Sequence, residues 1–79
     1  MQIFIKSLTE KTIILDVNSY DTIKDIKIKL EYIEDIPSDK QTFIFANKKL
    51  LDDKTLSDYN IQESSTIKSI GLLKGGYFI

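Results

Sequence analysis

The sequence predicts an α+β fold in which one helix packs across a mixed β-sheet. Three observations support this prediction: two runs of alternating apolar and polar residues begin the chain, a single stretch with helical periodicity follows, and further alternating runs come after it. A helix that follows a hairpin buries its apolar side against one face of the sheet. The 79 residues allow one domain.

The first two strands are predicted at residues 1–7 and 11–17. Ile3 and Ile5 share one face in the first run, and the alternation of the second run turns Ile14 outward. Two alternating runs around a short loop are typical of a hairpin.

The helix is predicted over residues 23–34. Thr22 precedes it, and Asp25 three residues later completes a pattern typical of a capping box, with Asp in place of the usual Glu or Gln. Pro37 forbids continuation of the helix, so we expect Asp35 to be the left-handed residue after its end. The residues predicted to face the sheet are Ile23, Ile26 and Leu30, whereas Ile28 and Ile33 lie off this stripe and are expected to be partly exposed.

The second half of the chain adds two strands, at residues 41–45 and 66–72. A short return strand is predicted at 48–50, and a helical turn inside a long loop at 56–61. The order is strand, strand, helix, strand, short strand, helical turn, strand. This order predicts a β-grasp roll.

The amino-acid composition argues against most kinds of catalysis and metal binding. The chain has no cysteine and no histidine, so it lacks thiolate metal ligands and the commonest general base. The adjacent carboxylates Asp52 and Asp53 are expected to face solvent in a turn, not to catalyse hydrolysis. We therefore expect neither an enzyme nor a protein that holds a metal or a cofactor.

Charge and hydropathy limit the partners. The net charge is −1, with 11 lysines and no arginine, which does not favour nucleic-acid binding. No apolar run reaches the roughly 20 residues of a membrane span. Residues 1–20 alternate instead of forming the apolar core of a signal peptide. We expect a soluble intracellular protein.

One surface is predicted to bind other proteins. If Phe43 faces the helix, then Ile44 and Ile70 face outward on the other side of the sheet, with Leu8 at the hairpin tip beside them and Lys68 at the rim. An exposed aliphatic patch with a cationic edge is typical of a partner site. The alternative is a scatter of ordinary surface aliphatic residues.

The carboxyl-terminal region contains two of the three glycines, Gly75 and Gly76. Glycine has no Cβ, so a paired glycine passes through a slot too narrow for side chains and favours insertion into another protein's active site. The alternative is a frayed terminus.

These residues together resemble the ubiquitin family. The similarity runs without a gap over the first 76 positions, and its longest uninterrupted part is 55–62. The other matching motifs are Met1-Gln2-Ile3-Phe4, Leu8-Thr9, Lys11-Thr12-Ile13, Asp21-Thr22-Ile23, Ile36-Pro37, Ile44-Phe45-Ala46 and Gly75-Gly76.

The resemblance implies a β-grasp modifier that is not an enzyme. In that family the carboxylate of the final glycine is adenylated, transferred to an enzyme thiol and joined to a substrate lysine. It implies that Gly76 reacts, that Gly75 helps the tail enter narrow channels, and that residues 77–79 are removed first. The implied organisation is a domain at 1–72, a flexible conjugation tail at 73–76 and a precursor extension at 77–79.

The resemblance also assigns surfaces and partners. Leu8, Ile44 and Ile70 match the main recognition patch, in which Lys68 replaces a histidine. The implied partners are activating, conjugating and ligase enzymes, carboxyl-terminal hydrolases, ubiquitin-binding domains and substrate proteins. The protein is expected to be a cytoplasmic and nuclear monomer. A second patch includes Ile36 and Leu73, and the possible chain-linkage lysines are Lys6, Lys11, Lys27, Lys29 and Lys48.

Leu72 departs from ubiquitin, which has an arginine there. That position is a gate for activating enzymes, and Nedd-type (Rub) modifiers carry a small apolar residue there, so the resemblance leaves a divergent ubiquitin and a Nedd-type modifier open. A further alternative is an unconjugated adaptor that binds receptors through Leu8, Ile44 and Ile70.

Overall fold

The computed structural model describes residues 1–7, 11–35 and 37–71. The elements follow the predicted order, with short 3₁₀ turns at Ser38–Lys40 and Ser57–Tyr59; the first of these turns was not predicted. The strands and the helix are β1 (Gln2–Ser7), β2 (Thr12–Asp16), α1 (Ile23–Glu34), β3 (Gln41–Phe45), β4 (Lys48–Lys49) and β5 (Thr66–Gly71).

The strands form one mixed sheet in the order β2-β1-β5-β3-β4. β1 and β5 are parallel, and the other neighbours are antiparallel. β1 and β2 form the predicted hairpin, with Ile3 opposite Leu15 and Ile5 opposite Ile13. The mixed sheet and the single helix confirm the predicted α+β, β-grasp fold class.

Helix α1 begins and ends as its sequence predicts. The Thr22 hydroxyl accepts a hydrogen bond from the Asp25 N–H (3.1 Å), and the Asp25 carboxylate accepts one from the Thr22 N–H (3.0 Å). Asp35 adopts the left-handed conformation (φ 57°), and its N–H donates to the Glu31 carbonyl. Both ends of the helix therefore satisfy backbone groups that would otherwise lack partners.

The core lies between α1 and one face of the sheet. Ile28 and Ile33 are 38% and 52% exposed, as expected for residues off the buried stripe. The short strand predicted at 48–50 ends at Lys49, and the next residue, Leu50, is buried in the core with its N–H donating to the Phe43 carbonyl. The buried apolar residues are Ile3, Ile5, Leu15, Val17, Ile23, Ile26, Leu30, Phe43, Leu50, Leu56, Ile61 and Ile67.

The long loop after β4 is held by side chains near its predicted helical turn. Leu56 is fully buried, and the Tyr59 hydroxyl accepts a hydrogen bond from the Leu51 N–H (2.8 Å). The Asp58 carboxylate accepts one from the Thr55 N–H (2.9 Å), which lowers the pKa of Asp58, and the Thr55 hydroxyl adds to this effect. Within the described residues, no helix is long and apolar enough to cross a membrane.

Candidate protein-interaction face

The candidate site is the sheet face turned away from α1, which we call the open face. On it, Ile44 of β3 lies opposite Lys68 of β5, and Ile70 lies opposite Thr42. Ile44 and Ile70 are thus diagonal neighbours on adjacent antiparallel strands, about 7 Å apart, within reach of one another's side chains. Both isoleucines are half-buried.

The alternate residues of the same strands point toward the helix. Phe43 and Ile67 are fully buried, and Ser69, which lies opposite Phe43, is 4% exposed. Because successive strand residues point to opposite faces, this burial fixes the outward direction of Ile44 and Ile70. The predicted outward orientation of these two isoleucines is confirmed.

Three lysines lie in one row with Ile44 across the open face. Lys68 lies between Ile44 on β3 and Lys6 on β1, and Lys49 of β4 lies on the other side of Ile44. The three lysines are exposed, and no described carboxylate lies within ion-pair distance of them. Their charges are therefore available to an acidic partner, with Ile44 between Lys68 and Lys49.

The sequence predicted Lys68 at this rim but not Lys6 or Lys49. Lys6 joins the rim because β1 pairs in parallel with β5, from which it is separated by some 60 residues of chain. Parallel pairing between distant strands leaves no local sequence signal. The alternation of β1 did place Lys6 on the outward face. With the strand order known, that orientation would have predicted its position beside Lys68.

Six of the predicted site residues lie outside the described residues. They belong to the hairpin tip, the second patch and the carboxyl-terminal tail. The structure brings together Ile44, Ile70 and Lys68, and the residues outside it are Leu8, Ile36, Leu72, Leu73, Gly75 and Gly76.

The possible chain-linkage lysines differ in accessibility. Lys6 and Lys48 are exposed. The Lys11 ammonium contacts the Glu34 carboxylate (2.9 Å) but keeps a 60% exposed side chain. The Lys29 ammonium donates to the Asp16 carbonyl (3.1 Å), and its side chain is 45% exposed. Within the part of the chain that the structure describes, Lys6 and Lys48 are thus the two of these four amines without an ion pair.

Lys27 is the buried member of the set. Its side chain is 7% exposed, its ammonium donates to the Asp52 carboxylate (2.6 Å), and it lies 5.7 Å from the centre of the Phe43 ring. The nearby Gln41 side-chain amide donates to the Lys27 carbonyl (3.1 Å). Modification of Lys27 therefore requires local opening of α1 against the sheet.

Of the adjacent carboxylates Asp52 and Asp53, the first has a structural role. Asp52 does not simply face solvent as expected, because it neutralises Lys27. Asp53 is exposed. The Asp52 carboxylate is therefore engaged by a buried ammonium and contributes to the packing around α1.

The chain thus has a β-grasp fold with an open face that combines two isoleucines with a row of lysines. The family model for the ubiquitin family matches residues 3–72. The chain belongs to the ubiquitin family.

Proteins similar to this chain differ in how much of their own length the similarity covers. It is 38% identical over 76 residues to the NEDD8-like protein RUB3 of Arabidopsis thaliana, covering 96% of this chain and 97% of that protein. It is 40% identical over 76 residues to the ubiquitin-like protein NEDD8 of Dictyostelium discoideum, covering 96% and 99%. It is 37% identical over 76 residues to AN1-type zinc finger protein 4 of Mus musculus, covering 96% of this chain but 10% of that protein. The class is that of ubiquitin-like modifiers, which are not themselves enzymes.

Proposed function

We propose that this protein is a modifier attached through Gly76 to lysines of other proteins, after residues 77–79 are removed. The tail at 73–76 carries the reacting carboxylate, and the domain at 1–72 is what enzymes and receptors recognise. The modifier acts in the cytoplasm and the nucleus.

The observation that carries this proposal is the combination of a family match over the folded body with relatives of nearly the same length. The relatives named NEDD8-like and NEDD8 are matched over 97% and 99% of their length, and this chain carries Gly75-Gly76 near its carboxyl terminus. A glycine carboxylate without a side chain suits transfer through a narrow channel.

The chemistry is a sequence of acyl transfers that ATP drives. The Gly76 carboxylate attacks the α-phosphate of ATP, which releases pyrophosphate and forms an acyl adenylate. An enzyme thiolate then displaces AMP to form a thioester. A lysine amine finally attacks the thioester carbonyl, and the thiol leaves as the isopeptide bond forms.

The test is a charging assay. Residues 1–76 are incubated with ATP and either the ubiquitin-activating or the Nedd-activating enzyme, and the product is a thioester that reducing agents cleave. The matched control is the 1–75 form, which lacks the reacting residue. Failure of the 1–76 form with both enzymes would contradict the proposal.

Leu72 supports activation by the Nedd-type enzyme. An activating enzyme built for arginine leaves its carboxylates unpaired against a leucine, which costs roughly 2–5 kcal/mol in binding. We expect the 1–76 form to charge on the Nedd-activating enzyme and the Leu72→Arg variant to gain charging on the ubiquitin-activating enzyme. Efficient charging of the unchanged chain by the ubiquitin-activating enzyme would instead favour a divergent ubiquitin.

The second candidate is an unconjugated adaptor that binds receptors through the open face. It is favoured by the match within AN1-type zinc finger protein 4, where the similar segment is a small part of a long chain. The basic rim around Ile44 and Ile70 suits acidic receptors in either case. Recovery of cellular protein that ends at Gly76 in isopeptide linkage would exclude the adaptor.

A further inference from the structure

The two edges of the sheet are protected very differently. At one edge, β4 has only two residues and both are lysines, a common way to prevent pairing with another strand. At the other edge, β2 has five residues, none of them lysine or proline. Its register with β1 is continuous from Gln2–Asp16 to Lys6–Thr12, without a bulge. β2 is therefore the edge open to a further strand.

The backbone of β2 presents hydrogen-bonding groups outward at alternate residues. Met1 and Val17 exchange two hydrogen bonds (2.8 Å each), and the Ser7 N–H donates to the Lys11 carbonyl (3.0 Å). Odd-numbered residues of this strand thus face β1, and the even-numbered residues turn their N–H and C=O groups away from it. The Lys29 ammonium reaches the Asp16 carbonyl from this outer side (3.1 Å).

Apolar side chains flank the same edge. Ile14 is 58% exposed on the open face. Ile33 is 52% exposed on α1, four residues after Lys29 and next to Glu34. Because Lys29 contacts the Asp16 carbonyl and Glu34 contacts Lys11, Ile33 lies on the part of α1 beside this edge.

We propose that β2 pairs antiparallel with β2 of a second copy of this chain, about a twofold axis at Ile14. Only the even-numbered residues of β2 turn their backbone groups away from β1, and centring on Ile14 uses all of them: Ile14 faces Ile14, and Thr12 faces Asp16. Antiparallel pairing also brings the Lys11 end of one strand to the Asp16 end of the other, whereas parallel pairing would place like charges together. The strand is thus complementary to itself.

This arrangement covers both exposed isoleucines. The twofold axis is perpendicular to the joined sheet, so both helices lie on the same side with their Ile33 flanks toward the axis. The Asp16 carbonyl keeps its bond to Lys29, because a carbonyl oxygen accepts two hydrogen bonds. The open face around Ile44 and Ile70 stays free, so pairing is compatible with partner binding. The monomer that the sequence predicts is then the species present at low protein concentration.

The test uses the full chain between about 10 μM and about 1 mM, the range in which weak association is measured. Sedimentation equilibrium should show the mass rising toward twice that of the monomer. The amide resonances of Thr12, Ile14 and Asp16 should shift with concentration. Ile14→Lys should weaken association about tenfold or more, because it places two ammonium groups at the axis.

The matched control is Ile28→Lys. Ile28 is an exposed isoleucine 200° around α1 from the buried Ile26, so the same charge change there should leave association unchanged. A mass that stays monomeric at the highest concentration would overturn the proposal. So would a dimer that persists in Ile14→Lys with shifts at Ile44 and Ile70. A monomer whose Thr12 and Ile14 amides respond only to an added alternating valine–lysine peptide would assign the edge to another protein and overturn it too.

Discussion

The two faces of strands β3 and β5 differ in how deeply their side chains are buried. On the face covered by α1, Phe43 and Ile67 are completely buried. One position along each strand, Ile44 and Lys68 lie opposite one another on the open face, where Ile44 is half-buried and Lys68 exposed. Isoleucine is therefore part of the core on one face and accessible to partners on the other, and only the position in the pleat separates the two environments.

The first prediction tests the covered face and has the largest expected effect. Phe43→Ala removes a fully buried ring, and we expect the free energy of unfolding to fall by about 3–5 kcal/mol. Urea unfolding followed by circular dichroism measures the change. If this variant does not fold, Phe43→Leu should fold with a smaller loss.

Ile44→Ala is the matched change on the open face. It should lower the free energy of unfolding by about 1 kcal/mol or less, because the side chain is only half-buried, while weakening receptor binding. Equal losses of stability at the two positions would contradict the division between the faces.

The second prediction concerns Lys27, a buried residue of α1. Asp52→Ala leaves the Lys27 ammonium without its carboxylate, and we expect a loss of about 1–3 kcal/mol. The loss should be less than for a fully buried pair because the Asp52 side chain is 48% exposed. Urea unfolding again gives the value.

Two variants sharpen this test. Asp53→Ala removes the adjacent exposed carboxylate and should change stability by no more than about 0.5 kcal/mol. Lys27→Met combined with Asp52→Ala removes both charges and should recover most of the loss. A double variant no more stable than Asp52→Ala alone would show that the packing of Lys27, not its charge, determines the effect.

The third prediction addresses the helix that creates the covered face. Thr22→Ala removes the hydroxyl that accepts the Asp25 N–H, and we expect a loss of about 1 kcal/mol. Thermal unfolding measures it. Thr22→Ser keeps the acceptor and should restore most of the stability, so a loss of the same size in both variants would exclude the cap as its cause.

Local sequence was sufficient to predict the elements that depend on neighbouring residues. The bounds of α1, its cap at Thr22 and its end at Asp35 all follow from side chains within a few positions, and each is confirmed. Alternation likewise predicted the direction of Ile44 and Ile70. Both are properties of one strand or one helix, and neither depends on which strands become neighbours.

What the sequence did not predict depends on distant contacts. The row formed by Lys6, Lys68 and Lys49 exists because β1, β5, β3 and β4 become neighbours, and the parallel β1–β5 pair has no connecting turn to reveal it. The burial of Lys27 against Asp52 joins residues 25 positions apart. A charged residue on a helix is normally expected to be exposed. Lys27 is buried because the helix packs against the sheet, which the local sequence does not reveal.

The last prediction has the smallest expected effect and lies on neither face. The Thr55 backbone N–H, together with the Thr55 hydroxyl, holds the pKa of Asp58 below its usual value in the folded protein. Because a depressed carboxylate pKa favours the folded state when the group is ionised, this contribution is present above the pKa of the unfolded chain, about 3.9, and is lost as pH falls through the lower folded value. Asp58→Asn should therefore flatten the fall in stability on acidification below about pH 4, without changing the contributions of other carboxylates. Urea unfolding at a series of pH values compares the two slopes, and Thr55→Val, which keeps the N–H and removes the hydroxyl, should give an intermediate slope. An Asp58→Asn slope identical to that of the parent would mean that the loop hydrogen bond does not distinguish the folded from the unfolded carboxylate.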